Sequence, residues 1–310
     1  MKRIAKKVIR KIVRLLHPAP VLSPSFSARG ADNAFLGIQT ILLWPDGAPK
    51  ANGDGPKDTP TLTIFTPRVG SENGSAVVIM PGGGYQNLAG DLEGREIASW
   101  FAARGFKAFI LAYRLPSQGY LFPVPLLDAR RAIQLVRARA REFSISPHRI
   151  VAIGFSAGGH LAALAAVQPL AGDPRAADPV ERASSRPDYL VLGYPWMSAV
   201  STSTTHLNYC QMFNLMDQSA ALEAAYTPNN FVSPQNPPAF IYHTWNDQAV
   251  PVEQSLGFVE ALHKAGVSTE VHIFAEGKHG SGLGKGDAAL GHWANLLENW
   301  LRGLGLIPKD

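Results

Sequence analysis

The chain has 310 residues, of which 46% are hydrophobic and 17% charged, a composition typical of a globular protein with one large core. Its net charge of +5 comes largely from the first fourteen positions, which contain seven Lys and Arg residues and no acid. The remaining chain is close to neutral, which argues against a nucleic-acid-binding protein. The single cysteine, Cys210, excludes an intramolecular disulfide framework and is interpreted as a structural thiol.

The N-terminus reads as a short cationic amphipathic helix over residues 1–16, which stops at Pro18 and Pro20. Basic residues interrupt every apolar run that a cleavable secretion signal would need, so a cytoplasmic location is favoured over secretion. Residues 1–30 are therefore interpreted as a basic extension and linker, and residues 31–310 as one catalytic domain. The helix could contact an anionic membrane surface weakly or remain solvated, and the sequence leaves both open.

From Leu42 onward, strand-like runs alternate with helical stretches, which predicts a mostly parallel sheet with helices on both faces. Residues 198–238 lack periodicity and are interpreted as an insertion between two core strands. The predicted strands are Thr61–Phe65, Ala76–Met80, Lys107–Tyr113, Arg149–Ile153, Tyr189–Gly193, Ala239–Thr244 and Thr269–Phe274. The predicted helices are 94–103, Leu127–Phe143, the segment from Ser156 to about Val167, Val252–Gly266 and Leu290–Leu301.

The strongest chemical signal is a Gly-x-Ser-x-Gly motif around Ser156, placed between a predicted strand and a predicted helix. This context is typical of the nucleophile elbow of the α/β-hydrolase fold, in which glycines allow a sharp turn and the serine hydroxyl projects above the sheet. Developing negative charge is favoured there by the helix N-terminus. The pattern predicts that Ser156 is a nucleophile.

A serine hydroxyl needs a base to accept its proton, and the base needs a carboxylate to hold its ring in the working tautomer. In this fold the acid precedes the histidine along the chain. Asp247 follows the strand Ala239–Thr244, and His279 follows the strand Thr269–Phe274, so both fall at the end of the sheet where Ser156 lies. We therefore predict Asp247 as the orienting acid and His279 as the base.

The predicted oxyanion hole combines the backbone N–H of Ala157 with an N–H from Gly83 or Gly84, in the glycine-rich loop after the strand Ala76–Met80. Which of Gly83, Gly84 or the next residue donates is left open. Three aromatic residues near strand ends are candidate substrate-binding residues, although aromatic residues there often belong to the core: Tyr85, Trp196 and Trp245.

Other residue types were weighed for the same roles. His160, His243, His263, His272 and His292 fall within helices or strands, where packing or surface roles are more common. Glu276 and Asp287 flank the loop of His279 but do not follow the penultimate strand. Asp91 and Glu93 are interpreted as residues that help to start a helix. No metal-ligand spacing and no phosphate-binding signature occurs, so no metal and no cofactor is predicted.

The chain also resembles a known group of α/β-hydrolase esterases, the Bacteroidetes-type feruloyl esterases and acetylxylan esterases. The likeness spans about residues 42–301 and departs from the usual pattern at Asn246, Lys278 and Ser281. It is carried by Leu43–Pro49, Pro81–Tyr85, Glu93-Gly94, Tyr113–Pro116, Asp128–Ala132, Gly154–Ala162, Val250–Val252 and Gly277–Gly280. By resemblance, the family's nucleophile, acid and base fall on Ser156, Asp247 and His279.

The resemblance implies a serine carboxylic-ester hydrolase that removes short acyl groups, acetyl first, from carbohydrates or other small esters. A feruloyl esterase and a general, lipase-like carboxylesterase are the alternatives. A peptidase of the same fold usually carries a propeller-like domain that is not evident in this sequence. A catalytically silent binding protein is the rival from another class, and the intact set of Ser156, Asp247 and His279 argues against it.

Overall fold

The computed structural model describes residues 38–197 and 220–308. The predicted N-terminal extension, Cys210 and residues 198–219 of the predicted insertion lie outside the described residues. Within these two ranges, no helix has the length and apolar character needed to cross a membrane.

The described residues contain one eight-stranded sheet with the order β1-β2-β4-β3-β5-β6-β7-β8. β2 pairs antiparallel with both β1 and β4, whereas the pairs from β4 to β8 are parallel. The strands are β1 (Ile38–Leu42), β2 (Thr61–Phe65), β3 (Ala76–Met80), β4 (Lys107–Ala112), β5 (Ile150–Phe155), β6 (Tyr189–Gly193), β7 (Ala239–Thr244) and β8 (Thr269–Phe274).

Helices cover both faces of this sheet, because successive residues of a strand point to opposite faces and the central strands are apolar throughout. In β3, Val78 belongs to a core cluster that includes residues of α2, α3 and α5, and Val77 belongs to a second cluster that includes residues of α1 and α6. The α-helices are α1 (Glu96–Ala102), α2 (Val124–Ala138), α3 (Ser156–Val167), α4 (Ala220–Ala225), α5 (Glu253–Lys264) and α6 (Trp293–Gly303). The predicted α/β-hydrolase architecture is confirmed.

Several predicted boundaries are wrong by a few residues. α2 begins at Val124, three residues before the predicted start, because proline is tolerated in a first turn that needs no N–H donors. The edge strand β1 was not predicted. A π-helical turn, Gly90–Arg95, precedes α1 in place of the predicted start at residue 94.

The fold brings four loops together at the carboxyl ends of parallel strands. These loops follow β3, β5, β7 and β8, and they carry the glycine-rich segment, Ser156, Asp247 and His279 respectively. Open α/β sheets bind ligands at this end. The topology therefore places every residue predicted for acyl transfer at one edge of the sheet.

Candidate active site

Ser156 lies at the junction of β5 and α3 in a conformation that non-glycine residues rarely adopt, with a φ of 50°. The turn requires glycine on both sides of it. A Cβ on Gly154 would lie 2.1 Å from the carbonyl oxygen of Gly158, and a Cβ on Gly158 would lie 2.0 Å from the carbonyl oxygen of Met80. The sequence motif thus encodes a strained, tightly packed elbow that presents the serine hydroxyl at the N-terminus of a helix.

His279 lies between Ser156 and Asp247 within hydrogen-bond distance of both. Its Nε2 is 2.9 Å from the Ser156 Oγ, and its Nδ1 is 2.7 Å from the Asp247 Oδ2. A carboxylate only accepts, so Nδ1 carries the proton and Nε2 is free to accept from the hydroxyl. This geometry can transfer a proton from serine to histidine.

Asp247 is held by further donors besides His279. The backbone N–H groups of Ala249 and Val250 donate to its Oδ1 at 2.8 and 2.9 Å. Burial acts to raise the pKa of this carboxyl, but hydrogen bonds from His243, His279 and Val250 outweigh burial and hold the pKa below its ordinary value. Asp247 is therefore ionised at neutral pH and fixed in orientation.

His243 is a second histidine on Asp247. It is fully buried, and its Nε2 lies 3.2 Å from the Asp247 Oδ2 and 3.0 Å from the Val250 carbonyl oxygen. Its Nδ1 lies 2.7 Å from the Ser255 Oγ. The interpretation of His243 as a packing residue missed this contact with the acid, because a histidine within a strand carries no signal of its partner.

The loop after β3 places Gly83 and Gly84 beside Ala157 in the wall of a cavity of about 530 Å³, which Ser156 and His279 also line. Gly83 and Gly84 have φ values of 122° and 62°, in the region that favours glycine. The N–H of the preceding Gly82 is occupied, because it donates to the Glu93 Oε2 at 2.7 Å. Gly83, Gly84 and Ala157 are thus the predicted donors that border the cavity.

The model of the BD-FAE family matches residues 62–262 of this chain. The chain belongs to the BD-FAE family. The matched range includes Ser156 and Asp247 and ends before His279, so the geometry rather than the match associates this histidine with the other two residues. The resemblance to esterases described above is thereby confirmed.

Several proteins similar to this BD-FAE member are named as ester hydrolases. The chain is 30% identical to an acetylxylan esterase of Xylanibacter ruminicola over 80% of its own length, and it spans 49% of that relative. It is 38% identical to an acetyl ester-xyloside bifunctional hydrolase of Caldicellulosiruptor lactoaceticus, with a TM-score of 0.80 and coverage of 87% and 97% of the two chains. A thermophilic esterase of Thermogutta terrifontis is 28% identical, with a TM-score of 0.72 and coverage of 88% and 97%.

The three predicted substrate-binding aromatics of this BD-FAE member occupy different environments. Trp196 lines the cavity, and its backbone N–H donates to the backbone carbonyl of Ser156 at 3.1 Å. Tyr85 is fully buried and does not line the cavity, so its predicted direct role is not supported; its hydroxyl lies 2.9 Å from the His160 Nδ1. Trp245 is 63% exposed and lies outside the cavity lining.

Several of the competing acids and histidines lie in other environments. His160 is buried behind Tyr85, and His272 contacts Glu270. Glu276 is exposed. Asp287 accepts hydrogen bonds from the backbone N–H groups that precede α6. Among the residues of the two described ranges, no cluster of His, Cys, Asp and Glu has the arrangement of a metal site.

Glu93 is the site residue that sequence reasoning missed. It was interpreted as a helix-starting acid, but its side chain turns inward, is 3% exposed and lines the cavity. Burial raises the pKa of Glu93, while hydrogen bonds from Tyr194 and the Gly82 N–H, together with His279, partly offset this effect. Only its place in the Glu93-Gly94 segment of the family likeness marked it in the sequence.

Proposed function

We propose that this chain is a serine carboxylic-ester hydrolase that uses Ser156 as nucleophile, His279 as general base and acid, and Asp247 to orient the imidazole. The observation that carries the proposal is the continuous pair of hydrogen bonds from Ser156 Oγ through His279 to Asp247, at 2.9 and 2.7 Å. Membership of the BD-FAE family and ester-hydrolase relatives support the same assignment.

Acylation begins when the Ser156 Oγ attacks the ester carbonyl carbon and its proton moves to the His279 Nε2. The carbonyl oxygen becomes an oxyanion, which the N–H groups of Ala157 and of Gly83 or Gly84 stabilise. Asp247 stabilises the imidazolium. Collapse of the tetrahedral intermediate breaks the bond to the alcohol oxygen, which takes the proton from Nε2 and leaves as the free alcohol.

Deacylation repeats these steps with water. His279 accepts a proton from a water molecule whose oxygen attacks the acyl carbon on Ser156, and the same N–H donors bind the second oxyanion. The bond to the Ser156 Oγ breaks, and Oγ recovers the proton from Nε2. The free acid leaves, and the enzyme returns to its starting state.

The substrate class proposed here is a short acyl ester, with acetyl groups on carbohydrate preferred and feruloyl esters as the second choice. An acetylxylan esterase and an acetyl ester-xyloside hydrolase among the relatives support this assignment. Trp196 adjoins Ser156, is buried and packs edge-on against Tyr85 with ring centroids 6.4 Å apart, so it forms a bulky wall beside the nucleophile. Such a wall would limit the length of the acyl chain.

The experiment compares wild type with Ser156→Ala on 4-nitrophenyl acetate, 4-nitrophenyl octanoate, acetylated xylan and methyl ferulate. We expect the substitution to lower turnover by several orders of magnitude, about 10⁶-fold where chemistry is limiting. A fluorophosphonate probe should label wild type and not the variant, whereas a silent binding protein would not be labelled at all. Activity of Ser156→Ala within tenfold of wild type would refute the assignment, and a maximum at octanoate without acetate release would favour the lipase-like alternative.

A further inference from the structure

Glu93 stands out from its neighbours in the π-helical turn Gly90–Arg95. Asp91 is exposed and pairs with Arg95, whereas Glu93 is 3% exposed. π-helical turns are rare and are often found at functional sites. This turn directs one acid into the cavity that Ser156 and His279 line, and leaves the other acid in solvent.

The two oxygens of Glu93 join two loops of the candidate active site. Oε2 accepts the N–H of Gly82, at the start of the glycine-rich loop, at 2.7 Å. Oε1 accepts the hydroxyl of Tyr194 at 2.8 Å, and the Tyr194 oxygen in turn accepts the N–H of Gly282 at 3.1 Å. Gly282 lies three residues after His279, and the ring of Tyr194 packs on the imidazole with centroids 4.9 Å apart.

Only a side chain with two acceptor oxygens at position 93 can satisfy both of its hydrogen-bond donors. Tyr194 has one proton to give, and Gly82 and Gly282 each give one backbone N–H. A carboxylate accepts at both oxygens, whereas a glutamine accepts at one oxygen and donates from its nitrogen. Glutamine at position 93 would therefore remove one of the two acceptors that Glu93 provides, the one for the Gly82 N–H or the one for the Tyr194 hydroxyl.

Gly82 packs so closely against this carboxylate that no side chain fits at its position. A Cβ on Gly82 would lie 2.7 Å from the Glu93 Oε2 and 2.6 Å from the Phe155 carbonyl oxygen. At the other end of the chain of hydrogen bonds, the Gly282 carbonyl accepts from the Trp293 Nε1 at 3.1 Å and from the Tyr242 hydroxyl at 3.2 Å. Both ends of the chain of hydrogen bonds are thus anchored in the core.

We propose that Glu93 is a positioning residue, whose carboxylate fixes the glycine-rich loop and the loop of His279 in one mutual arrangement. By taking the Gly82 N–H, it turns that group away from the substrate and leaves the following glycines to face the cavity. Through Tyr194 it holds the segment that carries His279. This inference rests on the proposed ester-hydrolase function and adds a residue to its machinery.

The test uses the full chain with four single variants and one double variant: Glu93→Gln, Tyr194→Phe, Asp91→Asn, Ser156→Ala, and Glu93→Gln combined with Tyr194→Phe. Asp91→Asn is the matched control, because it makes the same charge change in the same turn on an exposed side chain. Steady-state kinetics on 4-nitrophenyl acetate are normalised to active sites counted by end-point titration with a fluorophosphonate. Circular dichroism and thermal melting confirm that each variant is folded.

We expect Glu93→Gln to lower kcat by about 10- to 100-fold with KM changed less than about threefold, since misplacing a reacting group by about 1 Å costs up to ~100-fold in rate. Asp91→Asn should stay within twofold of wild type. The double variant should lose little more than the worse single variant, because both changes interrupt one chain of hydrogen bonds. A residue that only stabilised the fold would lower the number of titrated sites and leave kcat per site unchanged.

The proposal is overturned if Ser156→Ala is inactive while kcat per site in Glu93→Gln stays within twofold of wild type. Independent, multiplicative losses in the double variant would also overturn it. If Glu93→Gln fails to fold, Tyr194→Phe decides the question, because unchanged kcat in that variant removes the link to the loop of His279. Full activity in Ser156→Ala would instead refute the proposed function itself.

Discussion

Lowering the pH should destabilise the protein through His160, which is buried behind the glycine-rich loop. Its Nε2 lies 2.7 Å from the Tyr226 carbonyl oxygen, which can only accept, so Nε2 carries the proton. Nδ1 then accepts from the Tyr85 hydroxyl at 2.9 Å. Burial lowers the pKa of His160 to about 4, although the hydrogen bond to Tyr226 opposes this shift.

The sign and the magnitude of the effect follow from linkage between protonation and folding. The unfolded chain takes up a proton at His160 near pH 6.5, whereas the folded protein does so only near pH 4. Between these values the unfolded state binds more protons, so the free energy of unfolding falls as the pH falls. Each tenfold difference in proton affinity corresponds to about 1.4 kcal/mol, which gives a loss of about 3 kcal/mol across the window.

The assay is urea denaturation from about pH 8 to pH 4, applied to wild type, His160→Gln and His263→Gln. Glutamine can donate to the Tyr226 carbonyl but does not titrate. On acidification, wild type should therefore lose about 3 kcal/mol more unfolding free energy than His160→Gln. His263 is exposed on α5, and its variant should follow wild type at every pH. A difference between wild type and His160→Gln that stays constant with pH would refute the reasoning.

Three further predictions concern the acid, the cavity wall and the N-terminus. Asp247→Asn should lower kcat by about 10³- to 10⁴-fold, because the imidazole loses its working tautomer. Glu276→Gln changes an exposed side chain and should not lower kcat in this way. A larger loss in Glu276→Gln would show that Asp247 is not the orienting acid. Trp196→Ala should raise kcat/KM for octanoyl relative to acetyl esters by about tenfold, since each extra methylene that the pocket accepts contributes about 1 kcal/mol or more to transition-state binding. An unchanged chain-length profile would contradict the assignment of Trp196 to the wall of the acyl pocket. Deleting residues 1–30 should leave activity on soluble esters and the melting temperature unchanged, because the prolines after the basic segment indicate a linker; a large fall in melting temperature would show that the segment packs on the domain.

The parallel strands could be predicted because strands buried on both faces form continuous apolar runs. β3 is buried at every position and is bounded by glycine and proline. β1 was missed because it is an antiparallel edge strand, partly buried, with no such contrast to the chain around it. Pattern alone is therefore informative at the centre of this sheet and weak at its antiparallel edge.

The residues predicted for catalysis could be located because each lies on the loop or turn after a parallel strand, and the carboxyl ends of parallel strands meet at one edge of the sheet. Side-chain direction and distant partners could not be predicted in this way. Tyr85 has a φ of 58° and is buried against His160 instead of facing the cavity. Glu93 depends on Tyr194, which lies 101 positions away, so no local pattern distinguishes it from a helix-starting acid.

The position of β8 gives the candidate active site an uneven local stability. Ser156 follows a central strand that is paired on both sides, whereas His279 follows β8, which pairs with β7 alone in the described part of the chain. Edge strands open more readily than central ones, and hydrogen exchange reports such opening strand by strand. A brief separation of β8 from β7 would release the strand side of the His279 loop, and the hydrogen bonds at Gly282 would then be what keeps the base near an elbow that stays folded.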